Sequence, residues 1–455
     1  MTTTASLGPQ DSRAVRRVVA ALSVSAFTEW CGATAVIPLL PLYLRHQGAS
    51  VTLVGMTMAS FFAAALVVQY PLGRLSDRIG RRKIQVGGLA TYAVASVLFA
   101  VAGAPVLALV FRAMQGCGAG IVDVANAATI AEVVPASHRG RAFGTFYGSR
   151  NVAMAIGPFI GGLAGIAGMK WVFLMAAVAS AAAIIPILAF LPSSRQAQAA
   201  LGAVRRRWGL WRNRSFLGVA AAFLSVGVVI GVYEVCWSLL LTTNGATPWQ
   251  VGISWTLFAV PFAVMSFPAG WLVDHFDRRY LVAIAVAGSG AFAAAYPFLH
   301  SVALLIGLGS VEAVLVALGA PAESAQLAHS VPSFELGRAQ GAAASAQTAA
   351  TAIAAGVAGT LFAIHPWLPF EGASALIFVA AATLGILWRG VPGRAQAIPP
   401  QAVRSTSAAD TDRSPAVGTA ESGGAPSAKL RAAAAARSRS RSSGGGGKYS
   451  SSSVK

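Results

Sequence analysis

The residues in this chain best suited to chemistry are carboxylates and an arginine set in otherwise apolar sequence. Glu29 stands eleven residues into an apolar run that begins at Val18, within Ala26-Phe-Thr-Glu-Trp-Cys-Gly32. Arg112, Asp123 and Asn126 interrupt a second run, Glu234 a third, and Glu312 and Glu323 a fourth. Burial disfavours an ionised carboxylate and a nearby guanidinium favours it, so such groups can take up and release a proton as their surroundings change. Other chemistries lack their residues. No Gly-rich loop with a lysine could cradle a phosphate, and no HExxH helix could hold a metal. Cys31, Cys117 and Cys236 fall in apolar runs without CxxC spacing, which reads as small buried hydrophobes. The expectation is a protein that is not an enzyme and carries no metal or cofactor.

Composition sets the solvent around these residues. The 455 residues are 56% hydrophobic and 11% charged, with mean hydropathy +0.65, far from the balance of a soluble domain. Apolar segments of about 20 residues, enough to cross about 30 Å of hydrocarbon, recur twelve times: 18–43, 51–72, 84–103, 106–133, 143–167, 171–191, 216–241, 250–273, 281–299, 302–329, 339–364 and 371–389. The first follows Arg13, Arg16 and Arg17 but is too long for a secretory signal and lacks a clean cleavage site. Basic residues crowd alternate connections: Arg13 to Arg17, Arg74 to Lys83, Arg139 and Arg141, Arg195 to Arg214, then Arg278, Arg279 and Arg338. The other connections hold only Arg45 and Lys170. The positive-inside rule therefore puts the first set and both termini in the cytoplasm. This bias, with a basic tail, accounts for the net charge of +19 without nucleic acid. Beyond Trp388 the chain turns to Pro, Ser, Ala, Gly and Arg, too poor in apolar surface to fold. The expected organisation is a cytoplasmic N-terminus (1–17), a six-helix bundle (18–191), a basic linker (192–215), a second six-helix bundle (216–389) and a disordered basic cytoplasmic tail (390–455).

The two bundles repeat one another. Pro71-Leu-Gly-Arg-Leu-Ser-Asp-Arg-Ile-Gly-Arg-Arg-Lys83 overlays Pro268-Ala-Gly-Trp-Leu-Val-Asp-His-Phe-Asp-Arg-Arg-Tyr280 at an offset of 197. The same offset pairs Val54-Gly55 with Val251-Gly252, Val134-Pro135 with Val331-Pro332, and Gly140-Arg141-Ala142 with Gly337-Arg338-Ala339. A direct repeat with an even helix count relates the halves by an axis along the membrane normal. Their interface can then hold a central cavity opened to each side in turn.

Several stretches resemble motifs of the major facilitator superfamily. Gly73-Arg-Leu-Ser-Asp77-Arg78-Ile-Gly80-Arg81-Arg82 resembles its loop signature between helices 2 and 3, and Arg112-Ala-Met-Gln115-Gly116 its helix 4 motif. Gly157-Pro158-Phe-Ile-Gly161-Gly162 resembles the helix 5 antiporter motif, whose leading glycine is Ala153 here. Gly32, Pro38 and Pro41 resemble the helix 1 motif of the twelve-helix drug/proton antiporter branch. The resemblance spans 18–390. It implies an all-α membrane fold of twelve helices in two six-helix repeats. It also implies a latch in which Asp77 and Arg81 join an acid at the cytoplasmic end of helix 4, here Glu132, with Asp274 the repeat counterpart of Asp77. The alternatives are that Arg78, Arg81, Arg82 and Lys83 of that loop only fix topology and that the helix 5 glycines only serve packing.

Within that frame, Arg112, Gly116, Ala119, Asp123 and Asn126 share one face of their helix at about 100° per residue. Arg112 lies about 9 Å below the outer surface and Glu29 about 16 Å above the inner one. In a core of about 30 Å their levels differ by about 5 Å, which makes Arg112 the expected partner of Glu29. Glu29 is then either a proton carrier tuned by Arg112 or half of a permanent ion pair. Gln115, Asp123, Asn126, Glu234 and Glu312 are candidates for the cavity wall, Glu312 being the better placed second acid. Trp30, Tyr233 and Trp237 either line that cavity or anchor the membrane interface. The resemblance implies a monomeric, proton-driven antiporter exporting small amphipathic or cationic compounds across the cytoplasmic membrane of a prokaryote. Its partners would be a small-molecule substrate, protons and membrane lipids, with no nucleic acid. An exporter of a sugar, metabolite or lipid, a proton symporter, and a non-transporting receptor are the alternatives.

Overall fold

The computed structural model describes residues 9–191 and 208–391, except 102, 136–137 and 333–334; the side chains of 9–12, 70, 73–74, 77–78, 208 and 266–267 lie outside that description. The expected linker over 192–207 and the tail from 392, as well as the surroundings of Gly73, Asp77 and Arg78, therefore fall outside the described residues.

The chain is a succession of α-helices: α1 (Pro9–Val36), α2 (Leu40–His46), α3 (Val51–Ile79), α4 (Arg81–Val101), α5 (Pro105–Val133), α6 (Arg139–Ala164), α7 (Met169–Phe190), α8 (Arg214–Thr243), α9 (Pro248–His275), α10 (Arg278–Ala295), α11 (Val302–Ser330), α12 (Leu336–Ile364) and α13 (Leu368–Leu387). All but the short α2 match the twelve expected segments. The first segment is two helices rather than one, because Pro38 and Pro41 have no N–H to donate and the chain turns between α1 and α2. Among the described residues eleven helices are long and apolar enough to cross a membrane. The twelfth, α6, has 26 residues and is long enough, but Arg139, Arg141, Arg150 and Asn151 dilute its apolar character.

Side-chain caps start many of these helices. Ser50 accepts from the Leu53 N–H, Asn213 from Ser215 and Phe216, and Asp277 from Arg279, while Thr247 and Gln250 form a capping box ahead of α9. Gly80, at φ +96°, turns α3 sharply into α4, a backbone conformation that suits glycine.

Packing follows the repeat. In the first half α1 packs on α6 and α7, α5 on α3 and α4, and α4 on α7; in the second, α8 packs on α12 and α13, α11 on α9 and α10, and α10 on α13. Each pairing of one half thus recurs in the other. The halves meet through α3 against α12 and α6 against α9. Glycines set these meetings: a Cβ on Gly252 would lie 2.5 Å from the Gly162 Cα, and one on Gly55 would lie 3.0 Å from the Gly359 Cα. Gly55 and Gly252 are repeat mates, and so are Gly162 and Gly359, at the offset of 197. Two equivalent glycine contacts therefore close the end of the molecule opposite the basic connections.

At the other end the described residues show no equivalent contact. Gly144, Gly270 and Gly341 each lie eighteen residues from the sealing glycine of the same helix, Gly162, Gly252 and Gly359. Eighteen residues is about five full turns, so each pair lies on one face. At Gly144, Gly270 and Gly341 a Cβ would meet nothing within 4 Å among the described residues. Among the described residues, faces that touch at the outer end are thus not in contact at these inner positions. Beyond the seal the Ser238 hydroxyl donates to the Pro38 carbonyl at 2.6 Å, tying α8 to the first half. An outer cavity of about 470 Å³, lined by Leu42, Arg45, Leu239, Thr242 and Phe362 among others, lies on that side.

Candidate functional site

The first half supplies a charged cluster. Glu29 on α1 is 4% exposed and makes no hydrogen bond or ion pair among the described residues. The charges acting on it are Asp123 of α5 and Arg150 of α6. Those two are joined, Arg150 Nη1 donating to Asp123 Oδ1 at 3.0 Å, and the Asp123 side chain is 42% exposed. The Arg150 guanidinium also lies 3.7 Å over the Trp30 ring, a contact that satisfies its cation with a π face. One carboxylate is thus paired with the arginine and a second lies in the field of both, beside an aromatic platform.

Arg112 is not joined to Glu29, which corrects the expected pairing. Its Nη1 donates to Gln115 Oε1 at 3.0 Å, Gln115 passes a bond to Ser96 at 2.9 Å, and the guanidinium stacks 4.4 Å from the Phe61 ring centre. The reason is which helices touch. Helix α1 packs chiefly on α6 and α7, whereas α5 packs on α3 and α4. Matching depth alone did not bring the two side chains together. Tyr92 on α4 lies in the field of Arg112, Glu29 and Glu234 and so stands between the two regions. The polar face of α5 therefore meets several neighbours along its length: Arg112 meets α3 and α4, Asp123 meets α6, and Asn126 accepts from Gln85 of α4 at 3.0 Å.

In the second half Glu312 on α11 is 1% exposed and accepts from the Tyr296 hydroxyl at 2.6 Å and the Tyr233 hydroxyl at 3.2 Å. Trp237 packs against both tyrosines and donates to Ser254 at 3.0 Å. The structure thus places Tyr233 and Trp237 in a buried aromatic group around a carboxylate, not at a lipid interface. The repeat shows how the halves diverged. Glu312 stands where the first half has Gln115, and Gly309, under Trp237, stands where it has Arg112. Glu323 is the counterpart of Asn126, but Val282 replaces the Gln85 that would bond it. Glu323 is 7% exposed and without a hydrogen bond among the described residues.

At the cytoplasmic end Arg81 Nε donates to Glu132 Oε2 at 2.6 Å, joining the start of α4 to the end of α5. Arg82 donates to the Leu188 and Leu191 carbonyls at the end of α7, at 2.6 and 3.3 Å. Its repeat mate Arg279 does the same for α13, bonding the carbonyls of Trp388, at 3.1 Å, and Val391. Each thereby satisfies helix-end carbonyls that have no intrahelical donor. The ion pair has no counterpart, because His329 occupies the position of Glu132 and the Arg278 Nε has no hydrogen bond among the described residues. Asp274 is exposed and forms no ion pair among them. Since the Arg81 and Glu132 side chains are 20% and 34% exposed, Glu132→Gln should cost less than about 1 kcal/mol. Thermal melting of the purified protein checks this, and a drop of several times that size would contradict it.

Gly157 and Gly161 of the helix 5 motif sit against the backbone of α1 at Cys31 and Ala35, while Gly162 and Pro158 meet Gly252 of the other half. The motif therefore serves both intrahalf packing and the outer seal. Arg150 escaped the sequence reading. Its signal was as legible as that of Glu29, a charge within an apolar segment.

These features define a multi-pass membrane protein of two related halves with buried polar groups, joined at one end by glycine contacts. A family model described as Major Facilitator Superfamily matches residues 22–242 and 230–437. The chain belongs to the major facilitator superfamily. Among its relatives are the inner membrane transport protein YajR of Escherichia coli, 34% identical over 155 residues, which are 33% of this chain and 34% of YajR, and the quinolone resistance protein NorA of Staphylococcus aureus, 30% identical over 141 residues, 31% of this chain and 36% of NorA. The chain thus spans about a third of the length of these curated relatives. In fold it is similar to a bacterial homologue of the human lysosomal transporter Spinster, solved in an inward-facing, occupied conformation, with a TM-score of 0.68 at 14% identity, covering 84% of this chain and 98% of that one.

Proposed function

We propose that this chain is a proton-coupled secondary transporter that exports small amphipathic or cationic compounds by alternating access. The observation that carries the reading is the buried Glu29, unpaired among the described residues, beside Asp123, Arg150 and Trp30, between halves joined at their outer end by glycine contacts. Two carboxylates and one guanidinium leave a net negative charge when both acids are ionised. Either a proton or a cationic substrate neutralises it, so the two compete for one site. That competition is the exchange an antiporter requires. Trp30 offers a flat apolar face to an aromatic cation once Arg150 moves aside. The partial similarity to a quinolone resistance protein supports an amphipathic cargo.

The reading is tested in bacteria lacking their own major efflux pumps. Cells expressing the protein should hold several-fold less ethidium at steady state than control cells, and a protonophore should erase the difference. Equal accumulation with and without the protein, across ethidium and other lipophilic cations, would overturn it.

A further inference from the structure

The two halves differ in charge at the cytoplasmic end, where α10 begins and α11 ends. In the first half Arg81 Nε donates to Glu132 Oε2 at 2.6 Å and joins α4 to α5. At the offset of 197 Arg278 repeats Arg81, and His329 stands where Glu132 would be. Arg278 is 8% exposed, and its Nε, the atom that makes the bond in the first half, is buried without a hydrogen bond among the described residues. His329, in the last turn of α11, is exposed and lies in the field of Arg278. A guanidinium held away from water with an unused donor is costly. The repeat shows what that donor is aimed at: an anionic oxygen between α10 and α11.

Among the described residues no acid of the second half fills that place. Asp277, which caps α10, pairs with Arg279 at 2.6 Å. Asp274 near the end of α9 is exposed, Glu335 precedes α12, and neither forms an ion pair among the described residues. Glu323 lies six residues before His329, about 9 Å deeper along α11. The surroundings indicate where a missing anion would come from. Phe276 and Tyr280, two residues to either side of Arg278, are both exposed, as is Trp271 at the end of α9. Exposed aromatic side chains at the end of a spanning helix sit at headgroup level. The joint of α10 and α11 is therefore level with the phosphates of the inner leaflet, and exposed His329 forms its open edge.

We propose that this joint binds the phosphate of an anionic lipid of the inner leaflet, held by Arg278 and His329 in the place that Glu132 takes in the first half. Arg278 Nε donates to a phosphate oxygen as Arg81 Nε does to a carboxylate oxygen, and a ring N–H of His329 donates to a second. A guanidinium accepts either partner, and basic recesses between helices on the cytoplasmic side are where lipid headgroups are captured. The lipid thus does between α10 and α11 what the pair of Arg81 and Glu132 does between α4 and α5. The second half is braced in this way only in a membrane that contains anionic lipid, whether or not transport is coupled to protons.

Melting of the purified full-length protein in uncharged detergent micelles tests this. Added dioleoyl phosphatidylglycerol should raise the melting temperature by several degrees, as a ligand of the folded state does. Dioleoyl phosphatidylcholine, whose headgroup has no net charge, should raise it far less. Inorganic phosphate at the same concentration separates a lipid from a free ion, and an equal rise with phosphate would overturn the lipid assignment. His329→Glu supplies the carboxylate of the first half: the variant should melt higher than the native protein without lipid and lose most of the response to phosphatidylglycerol. Arg278→Gln should lose the response as well, whereas Arg141→Gln, which removes an exposed cytoplasmic charge elsewhere, should keep it. A native protein that does not respond, a folded His329→Glu protein that keeps the full response, or an Arg141→Gln protein that loses as much as Arg278→Gln, overturns the proposal. Ethidium export is a separate readout: its absence would overturn the proton-coupled reading and leave the lipid site standing.

Discussion

Glu29→Gln should reduce proton-driven ethidium transport on the order of 100-fold, the scale on which losing an obligatory proton-transfer group is felt, while leaving the protein folded. Glutamine keeps the shape and hydrogen-bonding capacity of the neutral acid but cannot ionise. The native side chain is 4% exposed and makes no bond that the amide would break, so melting behaviour should change little. The cluster would be fixed in its proton-loaded charge, with Arg150 held by Asp123 alone, and a cationic substrate would find no carboxylate at position 29 to neutralise. Transport assays in vesicles with an imposed pH gradient, run beside binding assays, distinguish this from misfolding. A folded variant with unchanged coupling would remove Glu29 from the mechanism and leave Asp123 as the acid to examine.

The second large effect belongs to the outer seal. Gly252→Val places a branched side chain where a Cβ alone would lie 2.5 Å from the Gly162 Cα. Overpacking of this kind costs about 1–3 kcal/mol. Because that cost falls only on the sealed conformation, the ratio of open to sealed molecules should rise about 5- to 150-fold. A cysteine introduced at Ser238, which is 1% exposed in the closed outer end where its hydroxyl bonds Pro38 of the first half, should then react with a membrane-impermeant maleimide added outside, in a background without native cysteines. Transport should fall, since the protein can no longer return readily to its inward-open form. Gly270→Val is the control: it lies on the same face of α9, eighteen residues away, where nothing among the described residues approaches within 4 Å, so it should not open the seal. Equal labelling in both variants would show that the glycine contact does not govern closure.

Much of the fold was legible because lipid makes strong demands on sequence. Twelve apolar segments, the alternation of basic connections and the 197-residue offset are consequences of thickness, charge bias and duplication. They correspond to the long helices and to the equivalent pairings within each half. The break in the first segment was announced by Pro38 and Pro41, but a count of apolar residues passes over it. The sealing glycines were visible as repeat mates, Gly55 with Gly252 and Gly162 with Gly359. Their contact with one another was not, since it depends on which helices of the two halves meet.

The site was legible in its residues and less so in its pairings. Glu29, Arg112, Asp123, Glu234 and Glu312 stand out as polar groups in apolar segments, and all but Asp123 are deeply buried. Depth along the membrane normal aligned Glu29 with Arg112. Position around each helix, which sequence spacing fixes only relative to its own neighbours, turned them toward different helices. Arg150 was the missing partner, overlooked because α6 was read through its glycine motif. The repeat carried further information in its departures: a carboxylate for Gln115 at Glu312, and a glycine for Arg112 at Gly309, mark where two copies of one bundle took up different charge roles.

The central claim is that movement of a compound through this cavity is obligatorily exchanged for protons. It is tested most directly by reconstituting the purified full-length protein into vesicles with an acidic lumen containing a pH-sensitive dye, then adding amphipathic cations one at a time outside. The account predicts that at least one compound raises the lumenal pH at once, as it enters in exchange for departing protons, and that Glu29→Gln vesicles give no such signal. If no compound in a broad panel moves protons through folded, reconstituted protein, proton-coupled exchange is not what this cavity does.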